Sequence, residues 1–162
     1  EKKKLRTTVT KIEDKIKELN INIPIPPKPV GNYAPYSKYG NLVFISGQLP
    51  IISDGKIING KIDKDLSIEE GIKASEIAAL NALGQLKTSC NGDLSRVKSC
   101  IKISGYVNSS AEFKDHAKVI NGASDLISKI FYEKLHSRIA IGCNSLPLNA
   151  CVEIESIFEL KN

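Results

Sequence analysis

Arg138 sits in one strand-like run near the C-terminal end, and Glu153 and Glu155 sit in the next. Period-two alternation puts both glutamates on one face of their strand. A guanidinium opposite that face could close a cross-strand ion pair. It could equally hold a ligand's carboxylate in its planar fork. The spacing leaves both uses open and does not choose between the two glutamates. Other reactive groups are sparse. Cys90, Cys100, Cys143 and Cys151 are scattered without a C-x-x-C pair, and His116 and His136 stand far apart. Zinc sites bring their ligands in close pairs, so no metal site is expected and the cysteines read as buried or half-buried free thiols. Ser46 has no histidine near it in sequence to activate it as a nucleophile.

The elements that must position these groups follow from period and punctuation. Ile12, Ile16 and Leu19 recur at helical spacing, and Thr10 with Glu13 fits a capping box, so residues 10–19 read as a short amphipathic helix packed on the surface. The proline-rich run 23–29 resists helix and reads as an extended connector. Strands are expected over Ala34–Lys38 and Leu42–Gln48, with Gly40-Asn41 turning between them. A long helix over Ser67–Ser89 opens on the pair Ser67 and Glu70, with Ile72, Ile77, Leu80, Leu83 and Leu86 as its apolar stripe. A strand over Val97–Asn108, a helix over Ala111–Lys134, and strands over Arg138–Asn144 and Cys151–Leu160 complete the chain. The last two strands read as a hairpin, which would let Arg138 and Glu153 line one cleft. This order predicts an α+β domain with two helices on one face of a sheet. The other face would be partly apolar, which favours self-association.

Composition narrows the function classes. The chain has 162 residues, 41% hydrophobic and 25% charged, which suits one globular domain. No apolar run is long enough for a membrane span, and no signal-peptide core is evident. The net charge of +5 is concentrated at the start: residues 1–20 carry seven basic and four acidic side chains. The nearly balanced remainder lacks the footprint of a dedicated nucleic-acid binder.

Several stretches, taken in order, resemble a known family. They are Gly31-Asn-Tyr-Ala34, Gly40-Asn-Leu-Val-Phe-Ile-Ser-Gly-Gln-Leu-Pro50, Val119-Ile-Asn-Gly-Ala-Ser124, Ser137-Arg-Ile-Ala140, and Leu146-Pro147 followed by Val152-Glu-Ile-Glu155. Together they are similar to the reactive-intermediate deaminase (Rid, YjgF-like) family, also called endoribonuclease L-PSP. The likeness implies a Rid/YjgF-like domain over 23–162, preceded by an amphipathic helical extension over 1–22. It implies a chorismate-mutase-like fold, a homotrimer with clefts between subunits, and hydrolysis of enamines and imines such as 2-aminoacrylate to 2-keto acids and ammonia. No metal or cofactor is implied. The family's carboxylate-binding arginine falls on Arg138 and its acidic residue on Glu153, both expected to be catalytic. Its substrate-binding positions fall on Tyr33, Ser46, Gly47 and Asn121. Familiar members carry cysteine or another small polar residue where this chain has Ala140, so no reactive-thiol mechanism is expected. The insertion between Pro50 and Ser67 is expected to reshape the pocket. The partner would be a small carboxylate-bearing imine or enamine, with no nucleic acid or membrane. The compartment would be the cytoplasm, or an organelle if a transit segment has been removed. The alternatives are an endoribonuclease acting on single-stranded RNA and a non-catalytic trimer that binds carboxylate metabolites.

Overall fold

Ser67 starts the longest helix as expected. In the computed structural model, which describes residues 12–29 and 31–162, Ser67 Oγ accepts from Glu70 N at 3.1 Å and Glu70 Oε2 accepts from Ser67 N at 2.7 Å. This reciprocal cap satisfies two donors that the first turn would otherwise leave open. The helices are α1 (Ile12–Glu18), α2 (Ile68–Ser89) and α3 (His116–Ile130). The strands are β1 (Tyr36–Tyr39), β2 (Leu42–Gln48), β3 (Val97–Asn108), β4 (Ser137–Cys143) and β5 (Val152–Leu160).

The strands form one sheet in the order β1-β2-β5-β3-β4. β5 runs antiparallel to both β2 and β3, whereas β4 runs parallel to β3. The sheet is therefore mixed, and α2 and α3 pack over one face as the apolar periodicity predicts. The expected hairpin of the last two strands does not form. The β3-α3-β4 unit lays β4 beside β3, and the following loop crosses the end of β3 to insert β5 on its other side. Lys61 helps fasten that loop, donating from Nζ to Asn144 O at 2.6 Å and to Asn108 Oδ1 at 3.0 Å. Part of the 50–67 insertion is thus tied to the crossing; within it, Ile62 is fully buried.

α2 meets the core through a different stripe from the one its large residues suggest. Ala74, Ala78, Ala79, Ala82, Leu83 and Leu86 are buried, while Ile72, Ile77 and Leu80 are only half-buried. Small side chains face inward because α3 comes very near: a Cβ added at Gly122 would stand 2.0 Å from Ile72 O. α3 is shorter than expected. Residues 111–115 form a turn that buries Phe113 edge-on against His116, with ring centroids 5.0 Å apart. Tyr132 and Glu133 adopt left-handed backbone angles (φ 56° and 62°), which end the helical path.

Ile12 and Ile16 of α1 are buried in the common core, and Glu13 Oε1 accepts from Leu94 N at 3.0 Å. The capping box expected at Thr10 lies outside the described residues. The 23–29 run is extended as predicted, and Gln85 Nε2 of α2 donates to Pro27 O at 3.0 Å. Cys90, Cys100 and Cys151 are buried free thiols and Cys143 is half-buried. Burial pushes Cys100 and Cys151 up to about 12, far from a reactive thiolate.

Candidate active site

β5 alternates buried Val152, Ile154, Ser156, Phe158 and Leu160 with Glu153, Glu155, Ile157 and Glu159. The buried set faces the helices, so Glu153 and Glu155 lie on the outer face of the sheet. Tyr106, paired with Glu153 in the β3–β5 register, shares that face and donates from Oη to Glu155 Oε1 at 3.2 Å. Burial first, and the Glu155 charge second, raise the pKa of Glu153 above the usual glutamate range. Such a carboxylate binds its proton more tightly than an exposed one, so it is the stronger base once ionised.

Glu153 has company from two other predicted residues. Gly47 on β2 lies directly beneath its carboxylate, and Tyr33 shares with both the lining of a small cavity of about 80 Å³. Pro147 and Leu148 complete part of that wall; neither was singled out as a site residue from the sequence. Leu148 has a left-handed backbone (φ 57°), which turns the chain at the cavity's rim. Ser46 serves the same region indirectly: its Oγ donates to Ala34 O at 2.7 Å, tying β2 to the segment that carries Tyr33.

Arg138 lies elsewhere. On β4 it projects toward α3, where Nη1 donates to Asn121 Oδ1 at 2.7 Å and to Ser124 Oγ at 3.2 Å. β3 separates its strand from β5, and the two side chains occupy opposite faces of the sheet. One chain therefore does not place Arg138 and Glu153 in one cleft, which corrects the expectation drawn from a terminal hairpin. Nor does Arg138 pair with Glu153 or Glu155; among the described residues its hydrogen-bond partners are Asn121 and Ser124.

Each chain thus carries two groupings: Tyr33, Gly47 and Glu153 around the cavity, and Arg138 with Asn121 and Ser124 at the sheet edge. His136 joins the second, with Nε2 2.9 Å from Ser124 Oγ. Neither His136 nor Ser124 is among the site residues expected from the sequence. The available signal was spacing: Asn121 and Ser124 are i,i+3 on one helix face, and His136 is two residues before Arg138. Among the described residues no cluster of histidine, cysteine and carboxylate groups could hold a metal ion. No described helix is long and apolar enough to cross a membrane.

The fold has close counterparts. A Trypanosoma cruzi protein, TCP17, is 38% identical over 149 residues, covering 91% of this chain and 92% of that one. The solved structure of the Agrobacterium tumefaciens protein Atu1372, described as of unknown function, superposes with a TM-score of 0.84 at 43% identity, covering 93% and 92% of the two chains. Residues 13–160 match the family model described as "YjgF/chorismate mutase-like, putative endoribonuclease". The chain belongs to the YjgF/RutC-like family. A more distant member, from Dermatophagoides farinae, is named 2-iminobutanoate/2-iminopropanoate deaminase and is 24% identical over 138 residues, covering 85% of this chain and 92% of that one. The mixed five-stranded sheet with helices on one face is the YjgF fold, and the resemblance carried by the sequence motifs is correct at that level.

Proposed function

We propose that the protein hydrolyses small imines and enamines bearing a carboxylate, releasing 2-keto acids and ammonia. The observation that carries this reading is a half-buried carboxylate of raised pKa, Glu153, over a cavity small enough to select small substrates. The name of the Dermatophagoides relative supports the same reaction.

In this reading Arg138 holds the substrate carboxylate, and Glu153 orients a water against the imine carbon. An enamine enters as its imine tautomer. The water's oxygen forms the new C–O bond as the C=N π pair moves to nitrogen, and Glu153 accepts the water's proton. Returning that proton to nitrogen gives the carbinolamine; Glu153 then passes the hydroxyl proton to nitrogen, the C–N bond breaks, and ammonia leaves as the carbonyl forms. Because Arg138 and Glu153 lie on opposite faces of one sheet, the two halves must meet across a boundary between copies. A homotrimer with inter-subunit clefts would achieve this. The outer face is suited to contact, since Phe44 (38% exposed), Ile139 (46%) and Ile141 (40%) present apolar surface. In this reading Tyr33 closes the cavity, and Asn121 holds Arg138 or touches substrate.

The test is ammonia and keto-acid release from freshly generated 2-aminoacrylate, comparing the native protein with Arg138→Ala. Turnover that collapses in the variant supports deamination. Release no faster than buffer, with native protein in excess, would sink this reading for that substrate.

A further inference from the structure

Arg138 is held through one nitrogen. Nη1 carries two hydrogens, and both are directed at acceptors on α3: Asn121 Oδ1 and Ser124 Oγ. Nη1 is the guanidinium nitrogen on the Cδ side, so Nε–H and Nη2 form the opposite edge. No hydrogen-bond partner of that edge stands among the described residues. Two parallel N–H groups are the geometry that a carboxylate accepts bidentately.

Ser124 Oγ has two lone pairs, so it can accept from Arg138 and from His136 at once. His136 Nε2 lies 2.9 Å from that oxygen. Nδ1 of His136 is buried and without a partner among the described residues. The neutral ring is therefore better served by a proton on Nε2, donated to Ser124 Oγ, than by an N–H buried at Nδ1 with no acceptor. Two donors, Arg138 Nη1 and His136 Nε2, then converge on one hydroxyl. A second proton would have to sit on Nδ1, and an imidazolium would stand beside a guanidinium.

We infer that His136 and Ser124 are positioning residues: with His136 neutral they hold Arg138 with its Nε/Nη2 edge free, and protonation of His136 releases it. That this edge takes a substrate carboxylate rests on the reading given under Proposed function; the holding of Arg138 does not. Burial, with the Arg138 charge second, lowers the pKa of His136. Arg138 is the charged group that bears on the ring, and no carboxylate offsets it among the influences on its titration. The neutral, holding form therefore prevails at neutral pH, and release belongs to the acid side.

The test uses the full chain and two readouts. In ligand-free protein, nitrogen-15 NMR of the Arg138 guanidinium reports rotation about the Cζ–Nη bonds. Separately, titration with pyruvate reports carboxylate affinity across pH. Slow rotation in the native protein, faster in Ser124→Ala and restored in Ser124→Thr, supports the inference. Pyruvate affinity should fall roughly tenfold in Ser124→Ala, the scale of one lost hydrogen bond to a charged group. His136→Gln keeps an uncharged hydrogen-bonding group near the Nε2 position and cannot be protonated, so the acid-side decline in pyruvate affinity should be absent, whatever its affinity at neutral pH. Unchanged rotation and affinity in Ser124→Ala, or a retained acid-side decline in His136→Gln, would overturn the inference. If rotation responds as described but the native protein neither binds pyruvate nor releases ammonia, the positioning device stands and the deaminase reading fails.

Discussion

A Cβ built on Gly47 would stand 2.2 Å from Glu153 Oε1 and 2.9 Å from its Cδ, so the carboxylate of β5 rests in the space that β2 leaves by having no side chain there. The group that would be pushed is the far end of a flexible side chain, not the backbone. Gly47→Ala should therefore cost little stability while moving the carboxylate away from its place over the cavity. A displacement of about 1 Å at a reacting group costs up to roughly a hundredfold in rate. Deamination rates and thermal melts, read together, check this. A large drop in melting temperature with unchanged specific activity would contradict it.

The raised pKa of Glu153 makes opposite predictions for activity and stability. In its proposed role as general base it must be ionised, so kcat/KM should fall as pH drops through its elevated pKa. Glu155→Gln removes the second cause of the shift, and the acid limb should move to lower pH. For stability the sign reverses. A folded-state pKa above the unfolded value means that the native state binds the proton more tightly, so ionising Glu153 costs stability as pH rises through that interval. Glu153→Gln should therefore melt higher than the native protein at neutral pH while losing turnover. A lower melting temperature, or an acid limb unmoved by Glu155→Gln, would count against this account.

Local signals in the chain were enough to reveal its elements, and long-range pairing was not among them. Ser67 with Glu70, the prolines at 24–29, and Gly40-Asn41 each act within a few residues, and the structure has a cap, an extended connector and a turn at those places. The partner of β4 depends on a different kind of fact. Two strands joined by eight residues read as a hairpin, yet the chain crosses β3 between Cys143 and Val152. That crossing is fastened by Lys61, from an insertion with no periodic pattern of its own. The same limit applied to the site. Asn121, Arg138 and Glu153 could be picked out by residue type and motif, but nothing in their spacing told that a sheet stands between the last two. The link from His136 to Ser124 is not visible in the sequence because the two lie across the turn that ends α3.

The close approach of α2 and α3 gives a prediction about the scaffold alone. At Gly122 an added Cβ would meet the backbone of α2: Ile72 O at 2.0 Å, Ile72 C at 2.9 Å and Glu76 N at 3.2 Å. Neither helix can yield there by rotating a side chain. Gly122→Ala should destabilise the protein by about 1–3 kcal/mol, the range of an overpacked core, despite alanine's better helix propensity. Urea unfolding should show a lower midpoint with little change in slope. A midpoint at or above that of the native protein would mean that the helices are farther apart than described.

The placement of Arg138 and Glu153 on opposite faces predicts complementation between inactive chains. If the chain assembles as the proposed homotrimer and each cleft takes its arginine half from one copy and its carboxylate half from another, Arg138→Ala trimers and Glu153→Gln trimers are both inactive. A mixed trimer can still assemble one intact cleft. It forms where the Glu153→Gln chain supplies Arg138 and its neighbour, Arg138→Ala, supplies Glu153. Unfolding the two variants together and refolding them should recover a fraction of native ammonia release, whereas each refolded alone should recover none. Mixing them without unfolding should restore activity only as fast as subunits exchange. No recovery after co-refolding, with mixed trimers demonstrated by mass, would place both residues' work within one chain and overturn the shared cleft.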